Sequence, residues 1–536
     1  MADIPVLYRQ AVAAFEAGQP DEANVLANQV LALAPDHLEA LMISGTASVQ
    51  VGEPEFGLSQ LRKAVDLAPE HAETHYNLAK GYIALEIWDQ AERALIAAIA
   101  ANREFLSAQF DLAILLEKQG RPREAELRYR EVLDIDPGVA EAWLGLGNVQ
   151  RGQGQLEDAA QSYRQANTLS SGTLPAYNNL GNVLLELERF EEAESLYREA
   201  IDRSPGRANY WYNLGNLLRR WKKPEPAVEA FDKALSLDPY DKGMRINRGH
   251  ALREAGRIDG AIEAFSLLAA DYPDTGHIHS LLASALTQGG DFEAASLVCD
   301  DFLAAHPANP SILSYKAIVW NEEGRDQEVS AFLDFDRLVV PVRVQVPEGF
   351  DDMDAFNRAL EEHIQNHPSL VFAPGDNATR SGFHSGDLLV EPKGPIADLE
   401  AQILQAVESY RRDFEIDAAH PFFSQPPPER LRLLVWSVVL RSQGYQIPHI
   451  HPDAWLSGVY YAKVPSFIGA QGSGDDGCIE FGEPNDQLFF ARPPPVGCFR
   501  PEEGKLFLFP SFLFHRTIPY ESDETRISIA FDLVPR

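Results

Sequence analysis

The chain has 536 residues, 46 of them Lys or Arg and 80 Asp or Glu, for a formal charge of −34. So acidic a balance excludes the basic surface that nucleic acids and anionic membranes require, and the length exceeds what one ordinary hydrophobic core supports. Cys299, Cys478 and Cys498 have neither framework nor metal spacing. That usage, with no basic leader at residues 1–5 and no apolar run of about 18 residues, leads us to expect a cytoplasmic chain without a signal peptide or membrane span.

A proline recurs every 34 residues: Pro35, Pro69, Pro137, Pro205, Pro239, Pro273, Pro307 and Pro341 share one phase, with Arg103 and Ser171 in the two remaining places. That period predicts a tetratricopeptide helix–turn–helix array. Such an array escapes the single-core limit because each repeat packs only on its neighbours. Small residues recur in the same phase at Ala79, Ala113, Gly147, Gly181, Gly215 and Gly249, and again at Ala91, Ala125, Ala159, Ala193 and Ala227. Side chains this small let paired helices approach closely. Gly18, Gly52, Gly120, Gly154, Gly256, Gly290 and Gly324 fall at the inter-helix turn, where a positive φ is often required. An all-α superhelix of nine to ten repeats is expected over residues 1–337.

Asn77, Asp111, Asn179, Asn213 and Asn247 occupy one phase of the first helices, and Asn148, Asn182 and Asn216, followed by His250, form a second row. First helices line the concave face of such arrays. The rows resemble the asparagine ladder in the tetratricopeptide array of O-linked N-acetylglucosamine transferase, where amides hold a peptide backbone. A carboxamide both donates and accepts, so it pairs with any extended backbone whatever its sequence. Asn77, Asn179, Asn213 and Asn247 are therefore candidate contacts to a protein or peptide partner. An Asn at those positions can equally bond the neighbouring repeat.

From 339 to 347 Val and Pro alternate with polar residues, which reads as a strand and opens a second domain at 338–536. Helical periodicity covers 352–366 and 396–412. Strand patterns follow at 431–440, 456–464, 477–481, 504–509 and 526–534. Helices followed by short strands predict a sheet or barrel buttressed by helices. The Gly-rich stretch 469–477 is acidic and lacks a Lys-Ser/Thr pair, which suits a lid rather than a phosphate loop.

The chemistry-bearing residues sit at the ends of these strands. His449 and His451 are two apart, so on an extended segment their side chains point the same way and can share a metal. A remote third ligand, His515, would complete one face of the ion and leave the other open. His451-Pro452-Asp453 is a second way to draw a histidine–carboxylate pair. Arg526 could hold a carboxylate bidentately, with Ser528 on the same strand face. His363, His367, His384 and His420 lack partner spacing and read as structural or exposed.

Pro448-His449-x-His451-Pro452, the run Ser457 to Tyr461, Gly504-x-Leu506-x-Leu508 through Ser511, His515 and Arg526-Ile527-Ser528-Ile529 resemble the 2-oxoglutarate- and Fe(II)-dependent oxygenases of bacteria and phages, and more distantly the prolyl hydroxylases. The resemblance covers roughly residues 345–536. It implies a double-stranded β-helix (jelly-roll) barrel with supporting helices. It implies Fe(II) held by the HxD-like motif and the distal histidine, and 2-oxoglutarate held by Arg526 with help from Tyr461. The ligand set is His449, His451 and His515, or His451, Asp453 and His515. A three-histidine site is more neutral than the usual one and could suit another metal. The expected function is a 2-oxoglutarate-dependent dioxygenase hydroxylating a protein or peptide recruited by the array. The alternatives are a non-catalytic peptide-binding scaffold with a structural or vestigial metal barrel, and a zinc hydrolase, which would need a general base beside the metal.

Overall fold

The computed structural model describes residues 3–169, 174–372, 378–468 and 474–536. Ser171 and most of the 469–477 stretch lie outside the described residues. The chain divides into two compact units, residues 1–180 and 181–536.

The first unit consists of antiparallel helical hairpins, beginning with Ile4–Glu16 against Pro20–Leu33 and Leu38–Gln50 against Pro54–Leu67. Proline opens many second helices, where its fixed φ suits the first turn and its missing N–H is not needed. The phased prolines instead stand just beyond helix ends, where the helix cannot continue. Gly18, Gly52, Gly120 and Gly154 turn the chain between paired helices at φ of 69°, 87°, 68° and 78°. Glu86 holds the same turn at φ 58° without being glycine. Where the small-residue series reaches Gly147, a Cβ would stand 2.6 Å from the Tyr163 ring.

The second unit continues the hairpins through Pro310–Glu322 and then builds the sheets. Gly181, Gly215 and Gly249 face Tyr197, Phe231 and Phe265, so an aromatic series with the same spacing complements the small one. The short helices Asp326–Phe332 and Phe335–Leu338 end the helical stretch. Among the described residues ten strands follow: β1 (Val340–Arg343), β2 (Val371–Phe372), β3 (Thr379–His384), β4 (Leu431–Gln446), β5 (Leu456–Lys463), β6 (Ile479–Phe481), β7 (Gly497–Phe499), β8 (Lys505–Pro510), β9 (His515–Thr517) and β10 (Arg526–Pro535). They form a large sheet in the order β1-β8-β5-β10-β4-β3-β2 and a small one in the order β7-β6-β9, with every pairing antiparallel. Phe481 of the small sheet packs edge-on against Phe509 of the large one at 4.8 Å between ring centres, and Phe499 against Phe507 at 5.9 Å. The fold is an all-helical tetratricopeptide array followed by a two-sheet antiparallel region consistent with a jelly roll; the repeat period and strand pattern lead one to expect the array and a helix-buttressed sheet or barrel, and the resemblance implies the jelly roll.

Helices Met353–Gln365 and Ile396–Arg412 supply the supporting layer. Tyr460 on β5 donates its hydroxyl to Asn357, and Leu399, Ile403 and Ala406 are buried along one helix face. The last hairpins share this core. Leu313, Ala317 and Phe332 belong to the same apolar cluster as Phe356, Leu399 and Phe531. Phe332 stacks on Phe512 at 5.0 Å, and its carbonyl accepts from His420 Nε2 at 3.1 Å, so His420 is buried in a packing contact.

The segment 485–492, between β6 and β7, lies on the first helices of the last repeats. Its backbone meets Arg253 at Gln487, Ser284 and Tyr315 at Phe489, and Asn321 at Arg492. Glu322 accepts from the amides of Ala491 and Arg492 at 2.7 Å each. No helix among the described residues is long and apolar enough to cross a membrane.

Candidate metal and anion site

Beyond the end of β4 the chain runs extended past the start of β9. The His449 amide donates to the His515 carbonyl at 3.1 Å and the His515 amide to the His449 carbonyl at 3.0 Å. The His451 amide reaches Ser511 O at 3.2 Å. This small antiparallel bridge brings the three rings to centre distances of 4.2, 5.0 and 5.2 Å. One nitrogen from each of His449, His451 and His515 lies within 4.8 Å of the others. Asp453 is exposed in the following turn and is not part of the cluster.

The other nitrogen of each ring is engaged. His449 Nδ1 donates to Ile447 O at 2.8 Å, and His515 Nδ1 to Leu513 O at 3.0 Å. His451 Nδ1 lies 2.7 Å from both carboxylate oxygens of Asp532. Asp532 also accepts from Ser457 Oγ at 2.7 Å, and that hydroxyl lies 2.8 Å from Ser511 Oγ. An acceptor at Nδ1 fixes the tautomer and leaves a lone pair on Nε2. His451 Nε2 is buried with no hydrogen-bond partner, an orphan that a metal ion would satisfy. Burial, reinforced by His451, pushes the His449 imidazole down to about 3; burial with His449 and His451 pushes His515 well below the ordinary range. Both rings are therefore neutral near pH 7, the form that ligates. The residues fit a divalent ion held on one face.

Arg526, Ser528 and Tyr461 line the same cavity as the three histidines. Arg526 is 2% exposed. Its Nη1 donates to Gly477 O, its Nη2 stands 3.5 Å from the Tyr461 hydroxyl, and its Nε is buried without a partner. Among the described residues no carboxylate pairs with it. A buried cation lacking an anion is costly, so the arrangement is shaped for an anionic ligand. Burial raises the Tyr461 phenol, which stays protonated and able to donate. Ser528 is the register partner of Tyr461, and its Oγ is 3.5 Å from Val438 O. Among the described residues no Asp or Glu lines the cavity.

Asp532 was not among the residues singled out from the sequence, and Ser457 and Ser511 were named there only within the resembling runs, with no role of their own. A signal existed for Asp532: positions 526, 528, 530 and 532 alternate along β10, so Asp532 shares the face of Arg526 and Ser528. Ser457 is its register partner on β5.

The asparagine rows lie on first helices, and the amides of Asn77, Asn179 and Asn247 engage the preceding repeat. Asn77 Nδ2 points to Met42 Sδ at 3.3 Å, and Asn179 Nδ2 donates to Asn148 at 3.0 Å. Asn247 donates to Tyr212 at 2.9 Å and to Gly243 O at 3.1 Å, and accepts from Arg219 at 2.7 Å. Asn213, half-buried, lies in the same phase on helix Ala208–Arg220.

A family model described as "Putative 2OG-Fe(II) oxygenase" matches residues 434–532, which span all three histidines and Arg526. Tetratricopeptide repeat models match 6–37, 76–138, 110–172, 172–239 and 246–310. Similar solved structures include MamA protein, at 24% identity over 31% of this chain and 92% of that one, TM-score 0.29. Others are a tetratricopeptide repeat protein from Parabacteroides merdae (15% identity, 46% and 98% covered, TM-score 0.33) and one from Thermus thermophilus (20%, 34% and 100%, TM-score 0.29). No match was found among the curated proteins.

Proposed function

We propose, for a chain that carries tetratricopeptide repeats and a domain matching the 2OG-Fe(II) oxygenase family, that it is an Fe(II)- and 2-oxoglutarate-dependent dioxygenase hydroxylating a protein or peptide. The observation that carries this reading is a pairing. Three imidazoles with their Nδ1 atoms tied off converge beside a buried guanidinium that has no counter-charge among the described residues.

In this reading His449, His451 and His515 hold Fe(II), and Arg526, with Tyr461 and Ser528 beside it, holds the 2-oxoglutarate. Bound iron would supply one-electron and O2 chemistry. The net change is a substrate C–H bond, O2 and 2-oxoglutarate going to C–OH, succinate and CO2, with one atom of O2 in each of the first two products. The chain's own part is positional. Asp532 orients His451. Arg526 and the protonated Tyr461 present donors to a carboxylate, and the packed rings of Trp436, Phe481 and Phe509 around the histidines limit water. The repeats are the means of recruiting a polypeptide, the asparagine rows being one candidate track for its backbone. A zinc hydrolase has less support, because among the described residues no carboxylate lines the cavity to act as general base.

Succinate formation with Fe(II), O2 and 2-oxoglutarate tests the proposal against a His515→Ala variant. Turnover in the native chain and none in the variant is expected; equal turnover would sink it.

A further inference from the structure

A second cavity, of about 200 Å³, shares His449 with the first. One wall is barrel: His449, Ile450, Pro452 and Phe514. The opposite wall is array: Ser280 and Leu281 of helix Gly276–Gln288, and Ser311 and Ser314 of helix Pro310–Glu322. Leu281 continues the phase of Asn213 and Asn247, and Tyr315, which holds the 485–492 segment, follows it. The first-helix face that Asn213 and Asn247 mark within the second unit therefore leads to this opening, and the opening ends on a histidine of the cluster.

The lining decides what can enter. Among the described residues it contains no Asp, Glu, Lys or Arg. A charged side chain would lose its water there and find no counter-charge. The polar groups present include both donors and acceptors: Asn485 Oδ1 already accepts from the Gln487 amide at 3.1 Å, which leaves its NH2 to donate. Ser280 Oγ spends its proton on His277 O at 2.7 Å, and Ser314 Oγ on Ser311 O at 2.9 Å, which leaves lone pairs to offer. Leu281, Leu488 and Phe514 supply the apolar remainder.

Resting on the dioxygenase reading, we infer that this cavity is the port by which a side chain of an extended polypeptide reaches the metal. It selects an uncharged side chain that can hydrogen-bond. The array contributes half of the specificity site rather than only a distant tether.

The test uses the full-length protein and degenerate peptide pools, each with one fixed central residue: Asn, Gln, Ser, Leu, Asp or Lys. Hydroxylation is read by mass spectrometry as a 2-oxoglutarate-dependent gain of one oxygen. Binding of the same pools to metal-free protein is read by affinity selection. Asn, Gln or Ser pools should exceed Asp and Lys pools at least tenfold in both readouts. Ser314→Asp, and independently His277→Asp at an exposed residue that also lines the cavity, should raise the Lys pool at least tenfold relative to the Asn pool. Failure of the native chain to consume 2-oxoglutarate at all would overturn the underlying oxygenase reading. Consumption with no peptide product, equal use of charged and uncharged pools, or no change in preference in either variant would overturn the port alone.

Discussion

His451 and Asp532 are 81 residues apart in sequence and 2.7 Å apart in space, with Nδ1 facing both carboxylate oxygens. The carboxylate does not join the cluster; it turns the ring so that Nε2 points inward. Asp532→Asn should preserve the fold and weaken metal binding by roughly 10–100-fold. Titration with Fe(II) or Mn(II), followed by calorimetry, measures it. An unchanged affinity would mean that Asp532 is a structural partner only.

The two candidate ligand sets differ in one substitution each. His449→Ala should abolish metal retention on purification, whereas Asp453→Ala, at an exposed position outside the cluster, should leave it intact. Elemental analysis of the two variants decides between them, and the reverse pattern would assign the carboxylate.

Arg526 carries a charge that only a ligand can balance among its described neighbours. Arg526→Lys keeps the charge but loses the fork, and should weaken 2-oxoglutarate binding by about 30-fold or more. Tyr461→Phe removes a more distant hydroxyl and should cost only a few-fold. Thermal shift with 2-oxoglutarate reads both, and equal effects would contradict the roles.

The second unit holds several histidines whose burial keeps them neutral: His250, His384, His420, His449 and His515 are all depressed. Between the folded pKa and about 6.5 the unfolded chain binds more protons than the folded one. Their contribution to stability is therefore complete above about pH 6.5 and declines as pH falls toward the folded values. A His250→Asn variant should show a shallower drop in Tm than the native chain between about pH 7 and about pH 5. Parallel curves would remove His250 from the account.

Two substitutions in the repeats should act in opposite directions. Gly215→Ala places a Cβ 2.6 Å from the Phe231 ring, an overpacking that should cost about 1–3 kcal/mol. Lys222→Gly relieves a non-glycine residue at φ 57° and should gain up to about 1 kcal/mol. Chemical denaturation of the full chain, followed at the transition of the second unit, checks both.

The helical array was legible because its packing rules are local and repeated. A 34-residue phase fixes where helices pair, and Gly147 or Gly181 declares its close approach without a structure. The aromatic complement at Tyr163, Tyr197, Phe231 and Phe265 has the same period and was equally readable. Among the strands, the long apolar ones were found. β3, with Arg380, Ser381 and Gly382, and the three-residue β7 and β9 carry too little pattern to register. At the site, spacing picked out His449, His451 and His515. Asp532 was hidden because a positioning residue is identified by its contact, and that contact joins two distant strands. The asparagine rows show the opposite limit: phase located them, but whether an amide at Asn247 faces a guest or its own Arg219 depends on side-chain geometry.

The shared core of Leu313, Phe332, Phe356 and Phe512 bears on how such a protein can be cut and recombined. Excised after the last repeat, the barrel would leave His420 and Phe512 without the Phe332 ring that covers them and the 485–492 strap without its hooks at Ser284, Tyr315 and Glu322. A transplantable catalytic cassette would have to carry its closing hairpins with it. A graft that retargets the protein belongs earlier in the array, where one hairpin meets only the next and a foreign repeat can be spliced in without baring the barrel.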